Sequence, residues 1–151
     1  MKKLFIYYSL TGNGDLVAQN LQDKGYDIRK VEMKKKLPKK FFFMVMTGGF
    51  LAGINAHSKL ENYDNDVSGY DEVLIGSPIW NGRFSSPINT VLKKTDLKNK
   101  KVDFIFYSGS GEAKVALKKI SKLYPDSKYI ILKEPKKYNE ELDKIGGINY
   151  E

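Results

Sequence analysis

A stretch rich in hydroxyl and glycine residues interrupts the apolar start of this chain, and it consists of Ser9, Leu10, Thr11, Gly12, Asn13 and Gly14. This first loop, residues 9–14, follows a strand-like segment and precedes a segment with helical spacing. Its backbone amides and the helix N-terminus can converge on an anion, and Ser9 and Thr11 add hydroxyl donors. The loop has neither a Walker lysine nor the G-x-G-x-x-G spacing. It therefore predicts a phosphate site of another type, with an empty polar turn as the alternative.

Two later loops carry residues suited to a flat ligand. The second loop, residues 77–85, includes Pro78, Ile79, Trp80, Asn81, Gly82, Arg83 and Phe84. Trp80 is predicted to stack on an aromatic ligand, and the alternative is a partly buried cap on the end of the sheet. The third loop is formed by Ser108, Gly109, Ser110 and Gly111. Its small residues and amides could border a planar heterocycle.

Alternating strand and helix patterns predict how these loops are placed. Strands are predicted at residues 3–8, 27–31, 71–76, 101–107 and 128–132, and helices at residues 13–24, 112–123 and 139–145 and after the predicted N-cap Ser86. This order indicates an α/β doubly wound parallel sheet with helices on both faces, formed by a single domain of residues 1–151. Ligands bind such sheets beyond the carboxyl ends of the strands, where the strand order reverses. All three loops are expected at that edge.

The long stretch between the second and third predicted strands is the irregular part of the pattern. A helix is predicted around residues 41–46, followed by a glycine-containing excursion. Its apolar residues are expected to pack under the sheet, and the alternative is a flap near the ligand.

Composition excludes several classes of site. The 151 residues include no cysteine and one histidine, His57, so disulfides, thiolate chemistry and a metal site are not expected. The lack of cysteine suits a cytoplasmic location, and the longest apolar run, residues 41–54, is too short to span a bilayer.

The net charge is +8. Excess lysine can indicate nucleic acid, anionic lipid or an acidic protein partner, but a solvated surface is the favoured interpretation. The basic run, residues 29–40, lacks interleaved aromatics, so nucleic acid is not expected.

The segments SLTGN, GSPIWNG and YSGSG, in this order and on these strands, resemble the flavodoxin family of FMN-binding proteins. The resemblance covers nearly the whole chain. It implies a flavodoxin-like five-stranded sheet of order 2-1-3-4-5, with the FMN phosphate in the first loop and the isoalloxazine between Trp80 and the third loop. Binding of FMN beyond the strand ends, where the strand order reverses, is itself a property of the flavodoxin family. The chain departs from the family in having Gly14 where a second threonine is common, no aromatic in the third loop, and a basic charge.

Three functions are compatible with these residues. The resemblance favours an FMN redox protein that carries electrons between redox partner proteins, acidic ones included, and needs no catalytic acid or base. The alternative is a flavin-dependent NAD(P)H:quinone reductase with an open flavin face. A third is a binding or signalling domain without flavin. The Asn81–Gly82 peptide and the Arg83 charge are predicted to tune the flavin potential.

Overall fold

Five parallel strands form the centre of the computed structural model, which describes residues 1–148. In chain order the six strands of the sheet are β1 (Lys3–Tyr7), β2 (Asp27–Lys30), β3 (Glu72–Trp80), β4 (Arg83–Phe84), β5 (Lys101–Ser108) and β6 (Tyr129–Lys133), and all except β4 belong to the parallel set. The sheet order is β2-β1-β3-β5-β6, and β4 pairs antiparallel with the end of β3. Without the two-residue β4, this is the predicted order 2-1-3-4-5. The predicted fold class is confirmed.

Helices cover both faces of the sheet, because alternate strand residues are apolar on each side. They are α1 (Asn13–Gln22), α2 (Phe41–Gly53), α3 (Ser86–Lys94), α4 (Lys114–Leu123) and a 3-10 helix (Asn139–Ile148). The helix α1 and the 3-10 helix pack on the face that carries Phe5 and Tyr7. The other three helices pack on the face that carries Leu4 and Ile6. Within residues 1–148, no helix combines the length and apolar character needed to cross a membrane.

The second loop is more regular than predicted. Strand β3 continues to Trp80 and turns at Asn81 and Gly82 into β4. Both turn residues have positive φ, 52° and 73°, as a type I′ hairpin turn requires. The Asn-Gly pair is the sequence signal for this hairpin. Two helix starts also shift slightly, since Ser85 and not Ser86 is the N-cap of α3 and α4 begins at Lys114.

The stretch between β2 and β3 forms a longer helix than predicted. Helix α2 has 13 residues, of which Gly48 and Ala52 are buried. The segment after α2 is fastened to α3, where the Thr90 hydroxyl donates to the Ser58 carbonyl at 2.6 Å and the Asn89 amide donates to the Ala56 carbonyl at 3.1 Å. Because Gly48 and Ala52 are the buried residues of α2, the expected packing of this apolar segment under the sheet is limited to one narrow face of the helix.

The first loop is held by close packing between α1 and β5. The buried Tyr107 hydroxyl donates a hydrogen bond to the carbonyl oxygen of Tyr8. A Cβ atom at Gly14 would lie 2.6 Å from the Tyr107 hydroxyl oxygen and 2.9 Å from Cβ of Ser9. Only glycine fits at residue 14 without a shift of its neighbours, which explains why no threonine stands there.

We predict that Gly14→Ala destabilises the protein by about 1–3 kcal/mol, because the added methyl overpacks a filled site. Gly49→Ala is the matched control, since Gly49 is also helical but has nothing within 4 Å of its added Cβ. The control should stabilise the protein by about 0.5–1 kcal/mol through helix propensity. Urea unfolding measures both free energies. Equal effects of the two substitutions would contradict the packing argument.

Candidate functional site

The carboxyl edge of the sheet brings the three predicted loops together, and hydrogen bonds join them to one another. The Gly82 carbonyl accepts the amides of Val115 and Ala116 at 3.1 and 3.0 Å, so the second loop is bound to the start of α4. A fourth loop, residues 134–138, follows β6 at the same edge, and the Glu134 amide donates to the Ser108 carbonyl at 3.3 Å. The edge is therefore one continuous surface of four loops.

The first loop closes around its own serine. The Ser9 hydroxyl accepts the amides of Gly12 and Gly14 at 3.2 and 3.0 Å, and Gly12 is the N-cap of α1 with φ of 98°. Two of the amides predicted to bind phosphate are thus already satisfied. Within residues 1–148, no acceptor lies opposite the amides of Leu10, Thr11 and Asn13. These three amides and the exposed Thr11 hydroxyl are the donors that remain for an anion.

Lys136 of the fourth loop adds a cation to the first loop. It was not among the predicted site residues. Its ammonium donates to the Thr11 carbonyl at 3.2 Å, and its backbone amide donates to the Asn13 side-chain oxygen at 2.9 Å. A cavity of about 290 Å³ lies here, lined by Thr11, Asn13, Glu134, Lys136 and Lys137. The signal that could have found these lysines is their position directly after the last strand, at the ligand-binding edge.

The carboxylate of Asp15 is balanced by its neighbours. It pairs with the Lys30 ammonium at 3.0 Å and accepts a hydrogen bond from the Tyr7 hydroxyl at 2.8 Å. Burial opposes the charge on Lys30, but the hydrogen bond and charge of Asp15 outweigh it and raise the pKa of Lys30. Burial, followed by the same carboxylate, raises the pKa of Tyr7. The negative charge near the first loop is therefore compensated.

Two aromatic residues of the second loop face the core. The Trp80 side chain is 9% exposed and packs edge-to-face on Tyr8, with ring centroids 5.8 Å apart. Helix α2 covers it, because a Cβ at Gly48 would lie 3.3 Å from the indole ring. In this structure the Trp80 ring therefore lies covered at the end of the sheet. Phe84, predicted among the cofactor-binding residues, is 2% exposed and packs on Phe106, so its side chain belongs to the core.

The rest of the second loop and the third loop border a common cavity. Its volume is about 360 Å³, within the range of small-molecule sites, and its lining includes Ile79, Asn81, Gly82, Ser108, Gly109, Ser110, Glu112 and Lys114. Of the other predicted residues, Pro78 accepts the Ser77 hydroxyl through its carbonyl, Arg83 donates to the Asn81 carbonyl at 3.1 Å, and Gly111 turns with φ of 78°. The structure thus gathers most of the predicted set and leaves the Trp80 and Phe84 rings outside it.

The titratable groups at this cavity were not predicted. Glu112 and Lys114 line it and form an ion pair at 3.5 Å, with both side chains mostly exposed. Within the described part of the chain, residues 1–148, no cluster of histidine and acidic side chains could hold a metal ion. The cavity is thus built mainly from small residues and backbone groups, and it offers hydrogen bonding more than acid–base chemistry.

Solved structures of similar fold come from several bacteria. A protein from Bacteroides eggerthii DSM 20697, described as a flavoprotein, has a TM-score of 0.70 at 24% identity, with 96% of this chain and 98% of that chain covered. A flavoprotein from Lactobacillus acidophilus NCFM, solved in complex with FMN, has a TM-score of 0.66 at 22% identity, with 92% and 97% covered. A protein from Bacteroides uniformis ATCC 8492, also described as a flavoprotein, has a TM-score of 0.66 at 21% identity, with 95% and 98% covered.

Sequence comparison adds the family. No curated protein matches this chain. The family profile described as Flavodoxin matches residues 52–146, well over half of the sequence. The match includes the second loop, the third loop and the fourth loop, and the similar structures supply the fold of the remainder. The chain belongs to the flavodoxin family.

Proposed function

We propose that this protein binds FMN at the four-loop edge and carries electrons between redox proteins. The observation that supports it most is the anion-binding set at Thr11 and Lys136, which shares one sheet edge with the cavity between the second and third loops. Bound FMN would supply the redox chemistry, and the protein would hold and tune it. The similar protein from Lactobacillus acidophilus was crystallised with FMN.

The residues present fit a phosphate-bearing ligand. The amides of Leu10, Thr11 and Asn13, the Thr11 hydroxyl and the Lys136 ammonium together offer donors and one full positive charge to a phosphate. Because Ser9 already accepts two loop amides, we assign Ser9 to holding the loop closed and not to direct contact. These groups distinguish FMN from riboflavin, which has no phosphate.

The residues also fit a planar ring system, with a different set of contacts from the one expected. The Trp80 ring is enclosed by α2, so we assign the ring contacts to Ile79, Asn81 and Gly82 on one side and to the third loop on the other. Small side chains there let backbone amides and carbonyls approach a heterocycle closely. The expected stacking of Trp80 on the flavin would require α2 to move from the indole.

Electron transfer between proteins is favoured over reduction of a small substrate. The two titratable residues at the cavity, Glu112 and Lys114, neutralise each other in an exposed ion pair. No observation at this cavity singles out a proton donor for a bound substrate, whereas an electron carrier needs none. The net charge of +8 favours acidic redox partners, since complementary charge accelerates encounter.

We predict that Lys136→Gln weakens FMN binding by about 1–3 kcal/mol, because an uncharged amide replaces a charged donor to the phosphate. Riboflavin binding should be unchanged, since it lacks that group. Lys24→Gln, in the turn that follows α1 and far from the carboxyl edge, removes the same formal charge and serves as the control. Fluorescence titration with both flavins gives the affinities. If Lys136→Gln leaves the preference for FMN over riboflavin intact, Lys136 does not bind the phosphate.

We predict that Arg83→Ala lowers the flavin reduction potential, because a nearby cation stabilises the negative charge that reduction adds. A charge about 6 Å away at an effective dielectric of about 20 is equivalent to up to roughly 100 mV before salt screening. The Arg83 guanidinium is held against the turn of the second loop by its hydrogen bond to the Asn81 carbonyl. A redox titration against dyes of known potential, with Lys24→Ala as control, measures the shift. Identical potentials in the two variants would show that Arg83 does not tune the flavin.

A further inference from the structure

An exposed apolar helix lies beside the candidate site. Eleven large apolar side chains are exposed within residues 1–148, and seven of them lie in residues 41–54, namely Phe41, Phe42, Phe43, Val45, Met46, Phe50 and Ile54. Their exposed fractions run from 52% to 73%. No charged residue interrupts residues 41–54. A contiguous apolar surface of this kind marks an interaction site in a soluble domain.

The basic run adjoins this helix and is held against it. Five of its lysines, Lys34, Lys35, Lys36, Lys39 and Lys40, are exposed, and none of the five forms an ion pair within residues 1–148. The Lys34 amide donates to the Lys59 carbonyl at 2.8 Å, which fixes the run beside the segment that follows α2. A cavity of about 820 Å³ between run and helix is lined by residues of both, including Leu37 and Leu51. Apolar and cationic groups thus form one surface.

We propose that helix α2 and the basic run form a docking surface for an anionic lipid membrane, with α2 lying in the headgroup region. The 13 residues of α2 are about 20 Å long at 1.5 Å per residue, too short to cross a bilayer but suitable for lying along it. The lysines meet the lipid phosphates while the phenylalanines enter the boundary with the acyl chains. Each lysine near an anionic surface raises affinity roughly fivefold.

The geometry favours lipid over a protein partner. Phe41, Phe42 and Phe43 are consecutive, so their side chains leave the helix about 100° apart, and all three are more than half exposed. One protein groove contacts a single helix face, whereas lipid headgroups and acyl chains can surround every part of α2 that does not pack on the protein. A symmetric dimer through α2 would place two lysine runs without ion partners at one interface, and a bilayer supplies the counter-charge.

The docking surface is next to the second loop. Gly48 of α2 lies against Trp80, and a Cβ at Gly53 would be 3.6 Å from the side-chain nitrogen of Asn81. Binding of α2 to a membrane would therefore hold this edge of the sheet beside the lipid surface. The proposal rests on the surface alone and does not require FMN.

Vesicle co-sedimentation tests the proposal with the full chain. Wild type should bind vesicles of equal phosphatidylcholine and phosphatidylglycerol, bind phosphatidylcholine alone at least tenfold more weakly, and dissociate as salt is raised. Phe42→Ser/Phe43→Ser/Phe50→Ser should lose at least tenfold in affinity. Val115→Ser/Leu123→Ser, which changes exposed apolar residues elsewhere, should bind like wild type. Thermal unfolding checks that each variant is folded.

The charge contribution is tested separately. Lys34→Gln/Lys35→Gln/Lys36→Gln should weaken binding about a hundredfold, and Lys98→Gln/Lys118→Gln/Lys122→Gln should change it far less. Because the chain has no cysteine, Met46→Cys gives a single site for a polarity-sensitive dye, whose emission should shift to the blue on anionic vesicles. No binding to anionic vesicles at low salt would overturn the proposal. The proposal would also be overturned if wild type formed a dimer in solution and did not bind lipid, while the triple serine variant was monomeric.

Discussion

The hydrogen bond from the Tyr107 hydroxyl to the Tyr8 carbonyl fixes the position of the first loop, and the arrangement of the site depends on it. Tyr107 belongs to β5 and Tyr8 follows β1, so one side chain joins two strands that both flank β3. Burial raises the pKa of Tyr107 above its ordinary value, at which a tyrosine hydroxyl is already protonated at physiological pH. The same hydroxyl fills the space beneath Gly14 and brings the start of α1 close to the sheet.

Helix α2 links the two functional surfaces proposed for this chain. Its buried face consists of small residues, so Gly48 can approach the Trp80 ring and close the end of the sheet. Its remaining, outer surface is largely apolar and exposed. A helix that served only to cover the sheet would carry polar residues outside, because exposed apolar surface favours association. The composition of α2 is explained when that outer face also binds a partner, for which lipid is the best fit.

The sequence was most informative where local pattern determines structure. Strand order and loop placement follow from alternating strands and helices, and the three loops do meet at one edge. The covering of Trp80 by α2 was not predicted, because it depends on Gly48, which lies 32 residues earlier and contacts the ring only in the folded chain. Lys136 reaches Thr11 across 125 residues of sequence. A helix was predicted only around residues 41–46, and the apolar pattern could not tell how far it extends or which side of it is covered.

The most direct test of the central claim, FMN binding at the four-loop edge, is the pigment of the purified protein. The protein is incubated with excess FMN, freed of unbound flavin, and denatured, and the released pigment is identified by chromatography. We expect a yellow protein that releases one FMN per chain. A correctly folded protein that stays colourless after this treatment would contradict it.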